Sequence, residues 1–351
     1  MTPVQLRASY TSWTYLDLTR FVASIDSRWV TSAAPPLESF GKVVELLKNQ
    51  EEEILSLPQG QTILAQFPAN PQNPLFYFQR EKWLDAYNKI QFWKHLPGGT
   101  DYLTAHPPEE LEEWMVSRPE VLALKSLKID RGSMTRLPPE IGLCQQLTHF
   151  MMMNSLLREL PREFGNLINL EVAFLSNNRL RRLPPELQNL QKLERLELAN
   201  NRLESIDPVG LLRNLNSLHV SKNQIRTVPS HRWGKLETLD LGDNQITELS
   251  EDFYQMPSLT LLMLNHNQLT KISEKLVQLS KLDSLFLEHN QLTFLPSKLG
   301  PKLRCISFSD NQVSEIPFSF ANAPSLTEIV FRGNPLQHRP PFIPAKILTF
   351  L

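Results

Sequence analysis

A leucine motif that returns every 21 to 23 residues constrains this chain more than any other feature. From Leu124 the pattern Leu-x-x-Leu-x-Leu-x-x-Asn-x-Leu-x-x-Leu recurs ten times, opening at Leu124, Leu147, Leu170, Leu193, Leu215, Leu236, Leu259, Leu282, Leu303 and Leu326. Clear copies run from Leu193 to Asn201 and from Leu236 to Asn244. One such unit cannot bury its own apolar side, whereas stacked neighbours bury a continuous core, so a fixed period of this length predicts a solenoid.

Each part of the motif has a physical reading. Alternation in Leu-x-Leu makes a short strand, leucines inward and x residues outward. The Asn then turns the chain, and its amide can both donate to and accept from backbone groups that leave the ladder there. Asn holds this slot at Asn178, Asn201, Asn223, Asn244, Asn267, Asn290, Asn311 and Asn334, while Gly132 and Ser155 hold it in the first two repeats. Those two rungs are expected to be looser, or shielded by what precedes them. The return segment carries Leu-Pro, as in Leu137-Pro138, Leu160-Pro161 and Leu183-Pro184. Proline cannot donate to a ladder, so this side is expected to form short helical or 3₁₀ turns. A strand side shorter than the return side bends the stack, with the parallel sheet on the concave surface.

This 23-residue unit with its Leu-Pro step resembles the leucine-rich repeats of intracellular proteins of the Ras-suppressor and scribble kind, and of similar bacterial proteins. The ending from Gly333-Asn-Pro-Leu336 to Leu351 is similar to that family's terminal segment, in which a last Asn-Pro-Leu leads into a short apolar cap. The resemblance covers residues 124–351. It implies an α/β fold, a leucine-rich-repeat solenoid, and a protein-interaction scaffold without naming a partner.

Residues 1–120 lack the repeat and read as a small all-helical domain, with residues 121–351 as the repeat domain. Five of the six tryptophans fall in this first part: Trp13, Trp29, Trp83, Trp93 and Trp114. Apolar spacing predicts helices over 37–57, over roughly 76–95 and over Glu109–Ser117, separated by Pro-rich loops. The last of them is placed to cover the first repeat, which would otherwise present an apolar end to water. A structural cap and a separate docking, effector or dimerisation module both fit this segment.

Lys plus Arg number 36 against 37 Asp plus Glu, so no global charge points to nucleic acid or an anionic membrane. No run of apolar residues is long enough to span a bilayer, and the first residues do not read as a secretory signal. Cys144 and Cys305 lie about seven repeats apart, too far to pair, which fits a reducing compartment. The location read from this is cytoplasmic, or a host cytoplasm reached without a cleavable signal. No Gly-rich phosphate loop and no paired metal-ligand motif is present, so neither cofactor nor metal is expected. The sharpest enzymatic alternative is a ubiquitin ligase of the bacterial leucine-rich-repeat type. That family needs a reactive cysteine in a dedicated helical domain. Here the first part contains no cysteine and neither thiol has a nearby His or basic cluster in sequence to make a thiolate.

The x positions of the strands therefore carry the functional expectation. Alternation puts Met151, Val172, Phe174, Arg195, Glu197, His219, Asp240, Leu261, Met263 and Phe286 on the concave face. They form two apolar patches, one of Met151, Val172 and Phe174 with Met153 alongside and one of Leu261, Met263 and Phe286, with charged residues between. Solvent-facing aromatic and methionine side chains on a rigid sheet are the usual composition of interface anchors. The expected partner is a protein held by a monomeric array. A self-associating structural protein, or an effector whose repeats recognise a host protein, would use the same surface.

Overall fold

The computed structural model describes residues 85, 88–89, 91–99, 110–130, 132, 134–231, 233–336, 343 and 348–350. The helix expected over 37–57 and most of the one over 76–95 lie outside these residues.

From Ser126 onward the chain forms one parallel sheet of eleven strands in strict sequence order. They are β1 (Ser126–Asp130), β2 (His149–Met153), β3 (Val172–Phe174), β4 (Arg195–Glu197), β5 (Ser217–His219), β6 (Thr238–Asp240), β7 (Leu261–Met263), β8 (Ser284–Phe286), β9 (Cys305–Ser307), β10 (Glu328–Val330) and β11 (Leu348–Phe350). Equivalent motif positions pair between neighbours, for example Leu196 with Leu218 and Leu218 with Leu239. Ten strands come from the ten repeats. The eleventh comes from the terminal segment, whose backbone pairs in parallel with β10.

The alternation in each strand decides which side is buried. In β5, β6, β7 and β8 the central leucine is buried and both flanking residues are partly exposed. The leucines pack against the return segments, which form 3₁₀ turns at Pro139–Leu143, Arg162–Asn166, Pro185–Asn189, Asp207–Leu211, Glu251–Tyr254, Glu274–Gln278 and Phe318–Asn322. A proline with extended backbone precedes the first three of these turns, where its fixed φ and missing N–H cost nothing. Neighbouring turns approach closely. A Cβ on Gly165 would fall 2.6 Å from the Cβ of Glu186 in the next repeat.

The two shortest repeats, which open at Leu215 and Leu282, have no 3₁₀ turn among the described residues. In the first of them Trp233 fills the volume. It is fully buried, its indole Nε1–H donates to the Val209 carbonyl at 3.0 Å, and its ring stacks on His231 with centroids 4.5 Å apart.

The asparagine row runs through the interior as a ladder of its own. Asn201 Nδ2 donates to the carbonyls of Leu175 in the previous repeat and Leu198 in its own, each at 3.0 Å, while its Oδ1 accepts from the Leu180 amide at 2.9 Å. Asn178, Asn223, Asn244, Asn267, Asn290, Asn311 and Asn334 make the same set. From the second repeat on, the residue before each rung has left-handed backbone. Asn154, Asn177, Asn200, Lys222, Asp243, His266, His289 and Asp310 have φ between 52° and 58°, and Gly333 has φ 73°. Asn, Asp and His tolerate this region better than most residues.

At the N-terminal end the ladder changes hands. Ser155 accepts from the Gly132 amide at 2.8 Å and donates to the Met153 carbonyl, so a hydroxyl performs a reduced version of the amide's role. Beyond it, buried Asn88 accepts from the Thr135 amide at 2.9 Å. Two short helices, α1 (Leu111–Val116) and α2 (Pro119–Leu122), lead into β1. Phe92, Trp93, Leu96, Leu111, Trp114, Met115 and Val121 belong to the same buried cluster as the leucines of the array, and Trp93 and Trp114 meet with centroids 5.2 Å apart. Lys89 pairs with Glu140 of the first 3₁₀ turn at 2.8 Å. These described residues of the first part thus seal the end of the first repeat.

Candidate functional site

The side of the sheet facing away from the 3₁₀ turns is covered by no other described element, and it is the side read as concave from the sequence. Its surface follows from period-two alternation. Because strands pair in register, a given x position forms a column that crosses the sheet, and its residues are cross-strand neighbours. Met151, Phe174, Glu197, His219, Asp240, Met263 and Phe286 form one such column, in that order. Val172, Arg195 and Leu261 stand in the parallel column two residues earlier.

Met151, Met153, Phe174, Glu197, His219, Asp240, Leu261, Met263 and Phe286 are all half-buried, and Arg195 is exposed. Val172 is a correction, because only 4% of its surface is exposed. Its register partners are His149 and Arg195, both longer, so a short β-branched side chain between them lies below the surface they define. The first patch therefore consists of Met151, Met153 and Phe174.

The second patch borders a shallow cavity. Met263 and Phe286, neighbours on β7 and β8, line an open cavity of about 420 Å³ together with Asn265, His266, Glu288 and His289. The imidazoles of His266 and His289 stack with centroids 4.1 Å apart, and His289 Nε2 lies 3.5 Å from an Asp310 carboxylate oxygen. Asn265, Glu288 and Asp310 were not among the residues expected on this surface from the sequence. The signal was available. Glu288 shares the outward parity of Ser284 and Phe286, and Asp310 occupies the left-handed slot next to His289.

Between the patches lies a charged line. His219 stands between Glu197 and Asp240, with nitrogen–oxygen distances of 3.9 and 3.8 Å. The Asp240 carboxylate, then the charge of Glu197, holds the imidazole pKa above its ordinary value against the opposing effect of burial. Burial pushes the Asp240 carboxyl up, but His219, Ser221 and the Gly242 amide, which donates to Asp240 Oδ1 at 3.0 Å, outweigh it and hold that carboxyl low.

Neither thiol is activated. Cys144 is fully buried with its Sγ 4.0 Å from the Val121 carbonyl, and burial pushes its pKa up to about 11. Cys305, half-buried on β9, is also pushed up to about 11, by burial first and then by Glu328, Glu288 and Asp283. Both are free thiols. Among the described residues no group of three or more His, Cys, Asp or Glu is placed to hold a metal, and no helix is long and apolar enough to cross a membrane.

Comparison with known proteins bears on this geometry. Residues 234–292 match a family model described as leucine rich repeat, and residues 168–210 match one described as leucine rich repeats in two copies. No curated protein matches. Among solved structures, a plant peptide hormone receptor in complex with RGF2 is similar at 28% identity and a TM-score of 0.56, over 61% of this chain and 37% of that one. The Toll–Spatzle complex of Drosophila is similar at 26% identity and a TM-score of 0.55, over 62% of this chain and 32% of that one. The octameric complex of Latrophilin 3, Unc5D and FLRT2 shares the fold at 24% identity and a TM-score of 0.55, covering 63% of this chain and 72% of that one. This chain thus spans about a third of the length of the first two.

Proposed function

We propose that this leucine-rich-repeat chain is a non-catalytic scaffold that binds a partner protein on the open face of its sheet. The observation that carries the reading is the pair of half-exposed apolar patches, Met151, Met153 and Phe174 on β2 and β3, and Leu261, Met263 and Phe286 on β7 and β8. Backbone pairing and the asparagine ladder hold the backbone beneath these side chains, so no backbone has to be ordered when a partner covers them. The similar solved structures include a plant peptide hormone receptor in complex with RGF2 and the Toll–Spatzle complex, which supports a general interaction role. Two free, unactivated thiols fit a binding protein in a reducing, cytoplasmic setting better than one that works through a reactive cysteine.

The test is affinity capture with the full chain, compared with Phe174→Ala and Phe286→Ala. A partner of this face is expected to lose at least about tenfold in affinity, the scale of a central anchor residue, while the circular dichroism melt stays close to wild type. A partner that binds both variants at wild-type strength would remove the face assignment. Elution of the chain as a concentration-dependent oligomer, dispersed by the same substitutions, would make self-association the role of this surface instead.

A further inference from the structure

The open face is unevenly charged around its cavity. On the strands β6 to β9 and the residues bordering them stand the carboxylates Glu237, Asp240, Asp243, Asp283, Glu288 and Asp310, against one formal cation, Arg304. Arg304 is itself engaged by Asp283 at 3.8 Å. The lysines of the same repeats, among them Lys271, Lys275 and Lys298, belong to the return side. The return side also carries Glu248, Glu251, Asp252 and Glu274, so its charges nearly balance and the local excess of negative charge lies on the open side, although the whole chain is nearly neutral at −1. The Cys305 thiol registers the same field, since Glu328, Glu288 and Asp283 all help to disfavour its ionisation. Glu288 lines the cavity whose apolar floor is Met263 and Phe286, Asp310 reaches it through His289, and Asp240 is the register neighbour of Met263.

We propose that the face over β6–β9 receives a cationic segment of a protein partner, with one apolar side chain of that segment in the Met263–Phe286 cavity and its lysines or arginines against the surrounding carboxylates. The inference rests on the reading of the open face as the binding surface and adds the chemistry of the occupant. An apolar anchor supplies desolvation in the centre, while a rim of one sign steers and selects the partner without being buried itself. The rim contribution falls as salt rises, because the screening length shortens from about 10 Å at 0.1 M.

The probes are three fluorescent fourteen-residue peptides, titrated into the full chain by anisotropy. One has a central leucine flanked by lysines, the second carries glutamates in place of the lysines, and the third carries serine in place of the leucine. The lysine–leucine peptide is expected to bind at least about tenfold more tightly than either of the others. Its affinity should fall several-fold in Asp240→Asn/Glu288→Gln, and again in Phe286→Ala. If the glutamate peptide binds equally well, or the double variant changes nothing while Phe286→Ala still weakens binding, the cationic occupant is wrong and the face reading stands. If neither variant has an effect, both fall. If light scattering shows the chain pairing with itself, and the double variant abolishes that pairing, the acidic face belongs to the lysine-bearing side of a second copy, and the proposal is overturned.

Discussion

Two columns of side chains cross the same ten repeats a few residues apart, and they behave in opposite ways. The buried column is the asparagine row, the same residue from Asn178 to Asn334, each making one repeated set of bonds. The open column changes at nearly every step, from Met151 through Glu197 and His219 to Phe286. From the third repeat on the interior position is fixed because each repeat leaves the same carbonyl and the same amide N–H without a ladder partner, and successive asparagines satisfy both, as Asn178 and Asn201 do at the Leu175 carbonyl and Asn201 at the Leu180 amide. No such demand acts on the outer position, so its residues are available for recognition. Stability and binding are carried by separate columns of one unit, and substitutions should separate them.

The largest effect belongs to the buried column. Asn244→Ala strands the Ile225 amide, bonded at 3.0 Å in the native chain, and removes one of the two bonds that each of the Val220 and Leu241 carbonyls accepts, the other coming from Asn223 and Asn267. A cost of roughly 2–3 kcal/mol is expected in urea unfolding, since a buried unsatisfied group costs about 1–3 kcal/mol and two further hydrogen bonds are lost. A loss below about 1 kcal/mol would mean that the row is not what holds neighbouring repeats in register.

Phe174→Ala and Phe286→Ala should cost less, up to about 1.5 kcal/mol each, because both rings are only half-buried and leave no closed cavity. Their effect should fall on partner binding instead. If Phe286→Ala destabilises as much as Asn244→Ala, the open column is structural and the contrast is lost. Ser155→Ala probes the reduced rung, where one hydroxyl accepts from Gly132 and donates to Met153. About 1 kcal/mol is expected, confined to the N-terminal end and visible as faster amide exchange at Gly132.

The leucine spacing made the parallel sheet, its order and its register legible, because an inward apolar residue at one fixed position of every repeat leaves no freedom in stacking. The left-handed column was legible too, in the Asn, Asp, His and Gly that precede the rungs, although Lys222 breaks the pattern. Other features depend on contacts that no local pattern encodes. Asn88 completes the first rungs from 47 residues away. Trp233 replaces a missing 3₁₀ turn, and the short 21-residue step announced the gap but not its filling. Val172 has the parity of an outward residue yet is covered, since parity gives direction while burial depends on the length of its neighbours. The carboxylates near Met263 and Phe286 come from three repeats and are brought to one face only once the repeats are stacked.

The smallest expected effect is on pH dependence, where the two sides of the array should again differ in sign. His219 lies on the open face between two carboxylates and is held above its ordinary pKa of 6.5. Its stabilising contribution is full below the unfolded value and is lost as pH rises through the folded midpoint. His231 lies on the return side, stacked on Trp233, with burial holding its pKa below 6.5. Its contribution is present above the unfolded value and is lost as pH falls toward the folded midpoint. Histidine NMR titration of the full chain should therefore find His219 titrating above 6.5 and His231 below it. Asp240→Asn should lower the His219 midpoint and leave that of His231 unmoved. A His219 midpoint unchanged in Asp240→Asn would show that the carboxylate beside it does not set its charge, and the acidic character argued for this face would lose its nearest reporter.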